Sequence, residues 1–238
     1  MAELDSNILD EDLLFALTIS SEAKALRLQK MAVFNKVITK SIWLTDHSTS
    51  IAKLAFWCDQ LNQQHFKALS IPDSEMATIK PWLINNFTPL LNKLAKTMIN
   101  INHPLADLSQ ILTEAIYLLV STKQFNCDIK DVHNDTGAIY LLKFSFYFQS
   151  SWLSKLIIHT LSLTDFNFPF SKPREKAAPC FLLYRQLLQL WLKTNLPALR
   201  CLRDHKLSKQ IFVIEPASWR KLFLVCYYYI KKKLRFNP

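Results

Sequence analysis

Asp131 and Asp135 are the two residues of this chain best placed by type and spacing to do chemistry. If the segment around them is helical, the i, i+4 spacing puts both carboxylates on one face, where they could chelate a magnesium ion. The surrounding stretch, QFNCDIKDVHND over 124–135, reads more readily as a solvated loop in which Asp135 caps the helix that follows. His47, His65, His103, His133, His159 and His205 form no His-x-x-x-His or His-Glu pair, so a histidine metal site has no support. Cys58, Cys127, Cys180, Cys201 and Cys226 are odd in number and never in a Cys-x-x-Cys pair. Free thiols buried in a reducing compartment account for them better than zinc does. No serine or cysteine nucleophile sits in a recognisable catalytic turn.

The elements that must position these residues are helices. Gly137 is the only glycine, whereas hairpins and sheets use glycine at their turns, so the chain is expected to be all-α, with Pro, Asn, Asp and Ser at its breaks. One glycine also rules out a phosphate-cradling Walker loop and a dinucleotide fingerprint. At 238 residues, half of them hydrophobic, the chain can bury a sizeable core, and a single domain over 1–238 is expected.

Over 31–61 the pattern predicts two helices joined by a polar turn at 45–50. Phe34, Ile38 and Ile42 share one face, and Leu54, Trp57, Cys58 and Leu61 share another at i, i+3, i+4, i+7. Before them, 8–17 reads as a short helix with Asp10, Glu11 and Asp12 early in it, where the helix dipole favours acids. Ser20 or Ser21 then caps the next helix, with Glu22 in its first turn. Ile71-Pro72-Asp73 is a break, and Pro81 and Pro89 predict further interruptions before a helix over 89–100. Leu105, Leu108, Leu112, Ala115, Ile116 and Leu119 form a helix stripe with Pro104 at its start. The apolar run from Gly137 to Leu163 predicts central helices bent near 149–151. A linker follows at 165–173 (DFNFPFSKP), then a helix over 177–202 interrupted near Pro197, and a last helix from Trp219 to about Arg235. The best strand candidate is 210–214.

The net charge of +10 is unevenly spread. From Arg174 onward there are fourteen Lys and Arg against three acids; before it, fifteen against sixteen. The excess is a local surface property, suited to an ordinary solvated face, an anionic membrane surface or a nucleic acid. Its densest part is Lys231, Lys232, Lys233 and Arg235, at the end of the last helix, where the dipole favours cations. In that helix Trp219, Leu222, Phe223 and Cys226 are expected to form a packed face. The acidic N-terminus, MAELDSNILDEDLL, argues against a secretory or transit signal, and Lys143, Gln149, Lys155 and His159 spoil the apolar tract 141–163 as a membrane span. A cytoplasmic or peripheral-membrane protein is expected.

Several segments, in order along the chain, resemble the squalene/phytoene synthase family. Ala32-x-Phe34-Asn35 enters one helix and Leu54-x-Phe56-Trp57-x-x-x-Leu61 forms the next; His103-Pro104, the helix over 118–129, Leu196-Pro197-Ala198-Leu199 and Trp219-Arg220-x-Leu222 follow. The likeness is greatest to the divergent branch that includes mitochondrial complex I assembly factors. It implies an isoprenoid synthase-like bundle in which Phe144, Tyr147, Phe148 and Trp152 line a cavity between helices that accepts a long apolar chain; without that frame such aromatics read as core. Active members hold magnesium with an Asp-rich motif on the first helix, but the corresponding positions here are Thr39, Lys40 and Trp43, none of which can ligate it. Gln124, Lys130, Asp131, Asp135, Gly137, Tyr140 and Leu141 resemble the family's second metal motif, though early in the chain, and alignment in strict chain order leaves no acid-rich segment at that site. The resemblance thus implies a catalytically degenerate protein without a cofactor. Such a protein would bind an isoprenoid lipid, an anionic membrane surface, or a partner in assembling a membrane complex. The alternative is a prenyl diphosphate transferase with relocated magnesium ligands, Asp128, Asp131 and Asp135. A helical nucleic-acid-binding protein ranks last, because the basic quarter carries no helix-turn-helix signature with a glycine turn.

Overall fold

The computed structural model describes residues 10–20, 22–42, 44, 46–100, 105–120, 135–147, 152, 178–203 and 214–235, the side chains of 105, 106, 135, 146, 201–203 and 231–235 excepted. All regular structure among them is helical, as the scarcity of glycine required. Asp10 opens α1 (Glu11–Leu17), its carboxylate accepting the N–H groups of Asp12 at 3.1 Å and Leu13 at 3.4 Å. α2 covers 24–42, with a π-helical segment, Asn35–Thr39, inside it. Phe34, Ile38 and Ile42 are buried along it as the stripe demanded. Ser20 does not cap this helix. Its hydroxyl accepts the N–H of Glu22 in a local turn (3.2 Å), and Glu22 forms a buried ion pair with Lys30 at 2.5 Å.

α3 is His47–Asn62. It begins within the polar stretch 45–50 because Asp46 caps it, accepting the N–H of Thr49 (2.7 Å) and the hydroxyls of Ser48 and Thr49. Those bonds hold the Asp46 carboxyl down at about 2. Leu54, Trp57, Cys58 and Leu61 are buried against the following helix, where the Cys58 thiol lies 3.7 Å from the carbonyl of Leu91. Burial pushes that thiol up to about 11, with Asp59 adding to it. With so little glycine in the chain, Gln64 (φ 57°) and Ser70 (φ 59°) take the left-handed positions that end α3 and the 3-10 turn Phe66–Leu69.

The breaks expected at Pro81 and Pro89 do not occur. Residues 73–99 form one helix, α4, made of Asp73–Trp82, a π segment Leu83–Phe87, and Thr88–Ile99. A wider turn just before Pro89 relieves the clash of its ring with the preceding carbonyls. The carbonyl of Leu83, at the start of that turn, accepts both the N–H and the hydroxyl of Thr88, the latter at 2.8 Å. Pro197 is likewise carried inside an unbroken helix.

α5 (Leu105–Val120) is buried on nearly every side and packs against α6 (Asp135–Tyr147), α4 and α7 (Pro179–Arg203). The α5–α6 crossing is close because Gly137 lies on it: a Cβ there would come within 1.9 Å of the carbonyl oxygen of Ser109. The Gly137 N–H donates to Thr113 Oγ1 at 2.8 Å across the same crossing. α8 (Ser218–Arg235) packs on α7, and Asn195 ties the approach to it by exchanging two bonds with the backbone of Ile214, at 2.8 and 2.9 Å. One hydrophobic core extends from Leu13 in α1 to Tyr228 in α8. No described helix is long and apolar enough to cross a membrane. The expected bend at 149–151, the linker 165–173 and all but Ile214 of the strand candidate 210–214 lie outside the described residues.

The last helix corrects the expectation made for it. Trp219, Leu222, Phe223 and Cys226 do share one face, but all four are exposed, and among the described side chains of α8 the buried ones are Lys221 and Tyr228. Lys221 faces inward because its counter-charges lie in the bundle.

Candidate functional site

Lys143 stands in the apolar run of α6, with Ile139, Tyr140, Leu141, Leu142 and Phe144 buried around it. An ammonium in such surroundings must be paired. α1 supplies the partners: Lys143 Nζ is 2.5 Å from Asp12 Oδ2 and 3.8 Å from Asp10 Oδ1. From α8, Lys221 Nζ reaches Asp12 Oδ1 at 2.9 Å and Glu215 Oε2 at 2.7 Å. Tyr184 of α7 donates its hydroxyl to Asp10 Oδ2. Four helices thus meet on two carboxylates, and Asp12 is wholly buried.

The electrostatics follow from burial set against these pairs. Burial by itself would raise the Asp12 carboxyl, yet Lys143 and Lys221 together hold it below the ordinary carboxylate value. Asp10 goes the other way: burial and the neighbouring charge of Asp12 push it up, against Lys143 and Tyr184. Burial would lower both lysines. For Lys143 it is outweighed by Asp10 and Asp12, and for Lys221 by hydrogen bonds to Asp12 and Glu215, so both stand above the ordinary lysine value. Tyr184 is raised by burial and by Asp10, and Tyr140 by burial.

A cavity of about 210 Å³ borders this network, lined by Glu11, Phe144, Tyr147 and Glu215 with the ion pairs themselves. Two of the expected cavity residues, Phe144 and Tyr147, therefore do line a space between helices. Its other walls are charged, and a long apolar chain would find neither room nor lining there. Trp152 does not join them; it donates to the carbonyl of Leu44 at 3.2 Å and packs edge-on against His47. Phe148 lies outside the described residues.

Asp128 and Asp131 also lie outside the described residues, and Asp135 is the first residue of α6, its side chain undescribed. Among the described residues no group of three or more His, Cys, Asp and Glu could hold a metal ion. Asp10 and Asp12 do not fit magnesium: a hydroxyl and two N–H groups occupy Asp10, and an ammonium stands on each oxygen of Asp12. Of the positions that replace the family's first metal motif, Thr39 is buried with its hydroxyl 3.3 Å from that of Tyr140, Lys40 is half-buried, and Trp43 lies outside the described residues. Lys231, Lys232, Lys233 and Arg235 occupy the last turns of α8, their side chains undescribed.

The ion network was missed by the sequence reading, which took Asp10 and Asp12 as acids favoured by a helix dipole and Lys143 as a mark against a membrane span. A lysine inside an apolar helical run was the available signal, since it requires a buried acid elsewhere. Comparison of the chain with known protein families, curated proteins and solved structures finds no match.

Proposed function

We propose that the chain is a squalene/phytoene synthase-like bundle of the isoprenoid synthase type that lacks prenyl transfer and acts by binding at a membrane surface, to a lipid or to a partner in assembling a membrane complex. The observation that carries this reading is Asp12, the most buried acid of the described interior, with a lysine ammonium on each oxygen. Prenyl transfer needs open carboxylates that hold magnesium against diphosphate charge. Asp10 and Asp12 are instead engaged in holding α1, α6, α7 and α8 together, a structural use compatible with binding. Thr39 and Lys40, standing where the family places its first acids, agree with it. The basic end of α8 supplies the attraction to an anionic surface, each base near it contributing about 1 kcal/mol.

Turnover of farnesyl or geranylgeranyl diphosphate with magnesium, alongside flotation on anionic liposomes, tests the reading. No turnover and clear flotation are expected. Replacing Lys231, Lys232 and Lys233 together by Gln should abolish the flotation and leave the far-ultraviolet circular dichroism unchanged. Magnesium-dependent condensation that disappears in Asp131→Asn or Asp135→Asn would establish the transferase instead.

A further inference from the structure

Trp219, Leu222, Phe223, Cys226 and Ile230 recur at i, i+3, i+4, i+7 and i+11, which is one face of α8. Trp219 is 67 % exposed, Leu222 60 %, Phe223 68 % and Ile230 57 %, while Lys221 and Tyr228 on the opposite face are each 8 % exposed. The helix is thus held to the bundle by an ion-paired lysine and a tyrosine, with Leu224 and Val225 packed at the edge of the core, while Trp219, Leu222, Phe223 and Ile230 face out. A contiguous apolar face of this kind marks a binding surface.

The chemistry around the face identifies the occupant. Arg220 is exposed and lies over the Trp219 ring at 5.2 Å. Between α7 and α8 a cleft of about 270 Å³ is lined by Gln189, Lys193, Trp219, Arg220 and Phe223, so cationic and aromatic groups share one rim. The next turns of the same helix carry Lys231, Lys232, Lys233 and Arg235, and no acid follows Glu215 in the chain. A second copy packed parallel on this face would bring these bases against one another. An anionic bilayer accepts both components, the aromatic and aliphatic groups at the acyl boundary and the cations among phosphate headgroups. The helix cannot span a membrane, so it would lie along the surface.

We infer that the outward face of α8 is a membrane-insertion surface, lying in the plane of an anionic phospholipid interface with Trp219, Phe223 and Ile230 in the acyl boundary and headgroup phosphate at the Lys193–Arg220 cleft. This rests on the membrane-surface reading and adds to it that apolar insertion, and not charge alone, holds the protein there.

The test compares the parent with Trp219→Ser/Phe223→Ser/Ile230→Ser, whose sites are exposed and whose fold is checked by circular dichroism. Both are floated with phosphatidylcholine vesicles with and without about a quarter phosphatidylserine. The triple variant should bind anionic vesicles about tenfold more weakly or worse. Lipids brominated near the headgroup should quench the tryptophan emission of the parent more than that of Trp219→Phe. If the triple variant binds like the parent while the Lys231/Lys232/Lys233→Gln variant does not, attachment is purely electrostatic: the insertion surface is refuted and the membrane reading stands. A parent that binds no vesicle refutes both. A parent that self-associates in sedimentation velocity without lipid, with a monomeric triple variant, assigns the face to a second copy and overturns the inference.

Discussion

Asp12 faces two ammonium groups from inside the bundle, Lys143 at 2.5 Å and Lys221 at 2.9 Å. Removing it leaves two largely buried lysines short of a counter-charge, one with Asp10 still 3.8 Å away and the other with Glu215 at the rim. Breaking a buried pair from one side costs about 3–5 kcal/mol, and Asp12→Ala should destabilise by that amount in urea unfolding. Its neighbour Glu11 is exposed, so Glu11→Ala should stay within about 0.5 kcal/mol of the parent. Equal effects at the two positions would mean that the network does not hold the fold. At this scale the sequence was legible only where partners are local. The polar turn expected at 45–50 holds the local Asp46 cap with Ser48 and Thr49, whereas Asp12 meets Lys143 across 131 positions with no pattern linking them.

Among elements, the tightest crossing depends on the single glycine. A Cβ on Gly137 would meet backbone at Ser109, 1.9 Å from the carbonyl oxygen, and backbone cannot swing aside as a side chain does. Gly137→Ala should therefore destabilise by about 3 kcal/mol, the upper end for overpacking, and lower the urea midpoint at unchanged m. A variant as stable as the parent would show that α5 and α6 separate at no cost. Trp57, 6 % exposed at the α3–α4 contact, should cost about 3–5 kcal/mol as Trp57→Ala, and a melting temperature within a degree or two of the parent would contradict its place in the core. Stripes such as Leu54-Trp57-Cys58-Leu61 were legible because burial on one side of a helix leaves a period in the sequence. The period does not say which side of the helix faces inward, and α8, turned by Lys221, was read the wrong way round. Proline was over-read as a break because the π turn Leu83–Phe87, eased by Thr88, has no local signature comparable to a cap.

In the molecule as a whole, the same network joins the first described helix to the last, so its titration bears on the entire fold. In acid its members oppose one another. Asp12, held below the ordinary carboxylate value of 3.8, contributes stability that is present above that value and lost as pH falls through its own lower one. Asp10, raised above 3.8, takes up a proton more readily in the folded chain and contributes in the opposite sense. In alkali they agree. Lys143 and Lys221 stand above 10.5, and Tyr184 and Tyr140 above 10.0, so each holds its proton more tightly folded than unfolded. Their contribution is complete below the ordinary values and is lost as pH rises through the raised ones. The unfolding free energy should thus be level from neutral to about pH 10 on account of these groups and fall beyond it. Replacing Asp10 by Asn and Asp12 by Leu together with Lys143 and Lys221 by Met removes the buried ions and nearly keeps volume, a change that in buried networks is often neutral or stabilising by about 1–4 kcal/mol. In that variant the fall above pH 10 should be shallower, with Tyr184 and Tyr140 alone left to drive it. Urea unfolding of both proteins at steps from pH 8 to about pH 11 measures the two slopes. Equal steepness would show that the lysines joining α6 and α8 to α1 do not govern the alkaline stability of the bundle.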